Sequence, residues 1–237
     1  MYNFFAGIGK INFSMFGPIH ISLLVLLIVL IFLMYLFRDK LKKLKINKYL
    51  PKVFATILLL NMLIYYMGML CTNTLDLKNN FPLHICFLAN FALIYILYSN
   101  NKKLFSIAYY FAFLGPIPAI IWCNLHYAFD TYVFYQFIIC HQGLLLIDLY
   151  MLFVLDYKVD KKDLKYAGII LIIYLIIIGF INYIFKTNYL LLNSLPVEVT
   201  DAWSFLKLIP APICLFIAGN FAFLIAYSLV YLNNKKF

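Results

Sequence analysis

Charge is what this chain has least of: 12% of its 237 residues are charged and 66% are hydrophobic. A water-soluble domain of that length needs a charged skin, so this chain is expected to be dissolved in lipid. Histidine is scarce as well, with His20, His84, His126 and His141 as the full set. No CxxC pair and no HExxH run occurs, which excludes a zinc motif built within one segment. No metal and no other cofactor is therefore expected; metal capture by the histidines would need ligands from separate helices. The chain shows no internal repeat, which removes the usual signature of an alternating-access transporter. It also has no low-complexity stretch and no soluble domain. Ahead of the first apolar run there is no basic n-region and no small-residue cleavage site, so no cleaved signal peptide is expected.

Long apolar runs are there instead. Seven cover roughly 18–37, 53–70, 81–98, 104–125, 132–155, 166–185 and 212–232, near the ~20 residues that cross a bilayer core as helix. Backbone groups in lipid must be paired within the segment, and no run alternates as a barrel strand would, so each is predicted helical. The predicted fold class is all-α: one polytopic domain of seven transmembrane helices over residues 1–237. Pro82 suits the first turn of the third.

Positive charge sets the predicted orientation. Fifteen Lys and Arg fall in the loops after the first, third and fifth runs and after the seventh, the last being Lys235 and Lys236. The other side holds Lys10, Lys78, Lys186 and Lys207. This alternation places the N-terminus outside and the C-terminus in the cytoplasm, in a cell membrane of bacterial type. The net charge of +10 is then an orientation signal, and no nucleic-acid partner is expected. Membrane lipid is the expected partner, including phospholipid or lysophospholipid.

Polar groups within the runs are candidate site residues, because ionisable side chains are costly in lipid. The fifth run carries Gln136, Cys140, His141, Gln142 and Asp148. Seven residues separate His141 from Asp148, two turns on one face of a regular helix. At ~10 Å that spacing excludes a direct hydrogen bond. Asn61, Asn90 and Asn220 are candidate partners. The third run opens with His84 and Cys86, a nucleophile and base by residue type. Two positions apart on a regular helix they face different ways, which pairs His84 with His141 instead. In the fourth run, Gly115-Pro116-Ile117-Pro118 predicts a kink or break, with a cavity beside Pro116. The long connection 186–210, rich in aromatics, is a candidate roof. Five cysteines are read chiefly as apolar packing, a Cys71–Cys123 disulfide being the alternative.

Gly17-Pro18-Ile19-His20, Phe81-Pro82-Leu83-His84-Ile85-Cys86, Cys140-His141-Gln142-Gly143 and Asn188-Tyr189 together resemble the bacterial YwaF-like integral membrane proteins. That group is similar in architecture to a eukaryotic transmembrane acyltransferase family, whose members move polyunsaturated acyl chains onto lyso-ether phospholipids with a Cys nucleophile and a His. The resemblance places His141 on the helix-five His and His84 on the His of a Pro-Cys-His element. It puts Leu83 where that element has its nucleophile. Leucine cannot attack an ester, so Cys86 or a water takes the role, or the chemistry differs.

The reading that follows is a lipid-modifying enzyme, by acyl transfer or ester hydrolysis. His141 is the expected general base, His84 orients or polarises the carbonyl and Cys86 is the candidate nucleophile. His20, Asn90, Gln142, Asp148, Asn61, Asn220 and Pro116 are expected to line or support the cavity, with His20, His84 and His141 converging in it. The alternative is a transporter or ligand-binding receptor using the same histidines and Asp148.

Overall fold

The computed structural model describes residues 1–123, 125–195 and 197–234; Lys235 and Lys236, counted above, lie outside them. The protein is helical, and seven apolar helices carry it: α1 (Pro18–Leu36), α2 (Leu50–Cys71), α3 (Ile85–Ser99), α4 (Lys102–Ile121), α5 (Tyr132–Phe153), α6 (Lys161–Phe185) and α7 (Ala211–Asn234). Six are long and apolar enough to cross a membrane, while α3 has 15 residues. Among the described residues, extended pairing is limited to one antiparallel bridge between Asn12 and Tyr127.

Local chemistry explains the ends. Pro18 opens α1, where its missing N–H is not needed. Asn100 closes α3 in the left-handed conformation that Asn tolerates, and the Asn101 side chain then accepts the Leu104 N–H to start α4. Asp160 caps α6 in the same way through Lys162 N–H.

The layers follow from burial. α4 and α5 are the most enclosed helices, and Phe105, Tyr109, Tyr110 and Phe113 of α4 pack the core with Leu144, Leu149 and Phe153 of α5. α1 and α6 are peripheral. Ile172, Ile173, Ile176 and Phe180 of α6 are exposed, a continuous apolar face suited to lipid.

Two predicted boundaries and the predicted regularity of helix five are corrected. The third helix starts at Ile85, not Phe81: Phe81 and His84 are extended, and Leu83 N–H turns back to Phe81 O. Pro82 therefore precedes the helix, because proline pushes the residue before it out of the α region. The fourth helix ends at Ile121 rather than 125, since Trp122 leaves helical dihedrals. The chain then pairs with the N-terminal segment, His126 O accepting Phe13 N–H and Ile11 O accepting Ala128 N–H. Helix five is not regular: residues Ile139–Gly143 form a π turn. The Gly115 interruption of α4 is mild, for Gly115 keeps helical dihedrals and bonds Phe111 O at 3.3 Å. All five cysteines are free thiols, so the Cys71–Cys123 disulfide is not formed.

Candidate functional site

The π turn sits where the polar motif of α5 lies. Such turns insert one residue into a helix and occur disproportionately at functional sites. Here the turn carries Cys140, His141 and Gln142, all buried. His141 Nδ1 lies 2.8 Å from Phe137 O, and the imidazole stacks on the Phe137 ring at 4.3 Å. A carbonyl only accepts, so Nδ1 holds the proton and Nε2 offers its lone pair. That leaves Nε2 as the nitrogen able to act as a base or a metal ligand.

Cys86 lies beside His141. The ligating atoms of Cys86, Cys140 and His141 all lie within 4.8 Å of one another. Regular helix from Phe81 would have turned Cys86 away from His84. The non-helical Phe81–His84 stretch instead delivers the chain to a helix start at Ile85, with Cys86 one residue inside it. Asn90, one turn further, fixes the arrangement. Its Nδ2 donates to Cys86 O (2.8 Å), Cys140 O (3.1 Å) and Cys140 Sγ (3.0 Å). One amide thus ties the first turn of α3 to the π turn of α5.

Close helix approach is set by Gly115. A Cβ there would stand 2.8 Å from Cys86 N and 3.1 Å from Cys86 Cα, so only glycine lets α4 lie against the first turn of α3. Pro116 is buried just beyond it.

His84 borders the cluster, close enough to interact electrostatically with Cys86 and His141. It also lines a pocket of about 100 Å³ with Asn79, Thr187, Asn188 and Tyr189. Tyr189 belongs to the connection after α6, and its ring meets His84 edge-on at 5.4 Å. The Tyr189 hydroxyl accepts Phe81 N–H and donates to Lys78 O. Asn182 clips this connection in place: it accepts from Tyr189 N–H and Thr187 Oγ1 and donates to Tyr189 O. The start of the connection does lie over the entry to α3. The pocket is bounded by these residues rather than by Pro116.

Other sequence candidates are placed elsewhere. His20 does not join the cluster through its ring nitrogens: Nδ1 accepts Phe16 N–H, and Nε2 lies 2.8 Å from Ile120 O. It clamps the N-terminal segment and α1 to the end of α4. Asn61 ties α2 to α5 through Gln136 O and the Tyr132 hydroxyl. Asn220 is exposed and bonds Phe216 O of its own helix, so it lines no cavity with the histidines. Gln142 is buried in the π turn. Asp148 is 1% exposed, and neither carboxylate oxygen bonds a described residue, including the three asparagines expected to serve it. His126 is exposed in the segment that pairs with the N-terminus.

Three contributors escaped the sequence reading. Cys140 is counted in the polar motif of the fifth run, but the role expected for all five cysteines is chiefly packing. Gly115 was read only as part of a kink. Asn182 lies six residues before the Asn188-Tyr189 motif, in the last turn of α6, and its nearness to that motif was the available signal.

A protein-family model described as the TMEM164 family matches residues 15–231. Comparison with curated proteins and with solved structures gives no match.

Proposed function

The chain belongs to the TMEM164 family, and we propose that it is a lipid-modifying enzyme that transfers or hydrolyses acyl esters. The observation that supports this reading is the pairing of the half-buried Cys86 with the buried His141, a ring nitrogen of which is within 4.8 Å of the thiol sulfur. His141 takes the Cys86 proton, and the thiolate attacks the ester carbonyl carbon. The C–O bond breaks, the departing lipid oxygen takes the proton from His141, and an acyl thioester remains on Cys86. A lysophospholipid hydroxyl or a water, deprotonated by His141, then attacks the thioester and restores the thiol. His84, between the pocket and the cluster, orients the carbonyl. Asn90 positions Cys86 and Cys140.

The same reading includes seven crossings with the N-terminus outside and the site in the outer half of the bacterial cell membrane. The 15 residues of α3 span ~22 Å at 1.5 Å each. The non-helical Phe81–His84 segment leads into it and covers part of the remainder of a ~30 Å core. Alternation of Lys and Arg supports the orientation. Reporter fusions after Lys43, Lys103 and Lys162 should read as cytoplasmic, and those after Lys78 and Lys186 as external. One reversal removes a crossing.

The activity test is lipid analysis of cells with and without the protein, followed by purified wild type, Cys86→Ala and His141→Ala with phospholipid donor and lysophospholipid acceptor. Loss of turnover in both variants is expected. An active Cys86→Ala beside a dead His141→Ala indicates water activated by His141, hence a hydrolase. Activity in both ends the reading. A transporter or receptor remains the second reading, supported by the buried, unpaired Asp148. An unchanged lipidome with altered solute uptake that Asp148→Asn removes would favour it.

A further inference from the structure

We propose that Cys86, Cys140 and His141 form a binding site for a zinc-type divalent cation. The donor set decides the class of ion. Two sulfurs and one imidazole nitrogen suit soft or borderline metals, whereas magnesium and calcium need oxygen ligands. Charge decides between the soft ions. Two thiolates and a neutral imidazole cancel the charge of a divalent ion, leaving a neutral assembly that can be buried at low cost. A monovalent ion in the same set would leave a net negative charge in a site with no cationic side chain in it.

The geometry is close to what the ion demands. A tetrahedral zinc with bonds of 2.0–2.3 Å spaces its ligand atoms about 3.5–3.8 Å apart. The three atoms here lie within 4.8 Å of one another, so a contraction of about 1 Å, within the reach of two Cys χ1 rotations, closes the site. Its outer shell is already built. Metal-bound histidines donate their second ring N–H to a carbonyl or carboxylate, as His141 does to Phe137 O. Ligating thiolates accept hydrogen bonds, and Asn90 Nδ2 stands 3.0 Å from Cys140 Sγ. A water completes the fourth position, and the polar pocket beside His84 holds Asn79, Thr187 and Asn188.

Binding releases both thiol protons, so affinity falls as pH falls. It also occupies the Cys86 sulfur and the His141 lone pair. If the acyl-transfer reading is right, the ion is an inhibitor of that chemistry. The binding site itself does not depend on that reading.

The test uses the full-length protein in detergent micelles and reads the metal directly. Cobalt(II) is added as a spectroscopic probe, then displaced with zinc. Expected are thiolate-to-cobalt charge-transfer bands that saturate at one ion per chain and disappear with zinc. X-ray absorption of the zinc-loaded wild type, which needs no variant, should show two sulfur neighbours at about 2.3 Å and nitrogen or oxygen at about 2.0–2.1 Å. Cys140→Ser should weaken zinc binding by more than the ~10–100-fold that loss of an outer-shell partner costs. Cys71→Ser, far outside the cluster, should bind like wild type. A zinc shell of nitrogen and oxygen alone, no thiolate bands in folded protein, or bands unchanged by Cys140→Ser each overturn the site. Because none of these readouts involves lipid turnover, failure of the metal site and failure of the acyl-transfer reading are separable.

Discussion

Gly115→Ala should destabilise the protein and displace Cys86, although alanine is the better helix former. In an exposed helix interior the exchange gains about 1 kcal/mol. Here the new methyl would stand 2.8 Å from the Cys86 nitrogen and 3.1 Å from its Cα. Both are backbone atoms of a helix start, so no flexible side chain can swing aside. Overpacking of this kind costs about 1–3 kcal/mol, and a relief shift of several tenths of an ångström moves α3 away from α4. Cys86 moves with it, away from His141. Two glycines of α6 provide the control, because a Cβ at Gly168 or Gly179 meets nothing within 4 Å. Alanine at either should leave stability unchanged or raise it by up to about 1 kcal/mol. Thermal unfolding of the three variants in one detergent checks the stability claim. The rate of Cys86 alkylation in folded protein checks the displacement. A Gly115→Ala variant as stable as Gly168→Ala, with unchanged Cys86 reactivity, would refute the close-approach argument.

Asn182→Leu removes the group that holds Tyr189 and Thr187; at about 0.5–1.5 kcal/mol per hydrogen bond, amide exchange in residues 186–194 should quicken by an order of magnitude or more, while α4 exchange stays slow. His20→Leu leaves Phe16 N–H and Ile120 O without their ring partners, costing about 1–3 kcal/mol. It should lower the unfolding temperature yet preserve any Cys86-dependent turnover at low temperature; loss of turnover in a folded variant would return His20 to the site. Asp130 lies in the α4–α5 connection, and the N–H groups of Lys10 and Ile11 hold its carboxyl below the usual carboxylate range. A depressed pKa in the folded state stabilises above the ordinary value of ~3.9 and loses that stabilisation as pH falls through the lower folded value. Protection of residues 8–14, measured against the intrinsic exchange rate at each pH, should therefore fall in acid. Asp130→Asn should show the lower protection at every pH, and an unchanged acid profile would remove the tether.

Residues alone determined the membrane class, for a chain with so little charge cannot cover itself against water, and each apolar run must satisfy its backbone as helix. They also brought His84, Cys86 and His141 forward, because such groups are costly in lipid and so draw attention wherever they occur. What they could not determine was register. Periodicity assumes a regular helix, and this site is made of two departures from one: the non-helical Phe81–His84 stretch before α3 and the π turn at Ile139–Gly143. Those departures bring Cys86 to His141 and put Cys140 beside both. Asn90 ties the two departures together, its amide donating to Cys86 O on one helix and to Cys140 O and Sγ on the other. His20 and Asn220 illustrate the converse. Both looked like candidates by type and depth, yet one finds its partners in a neighbouring carbonyl and a local N–H, and the other in its own helix. Which partner a buried polar group takes is a property of packed neighbours from distant parts of the chain, so only the tertiary structure could decide it.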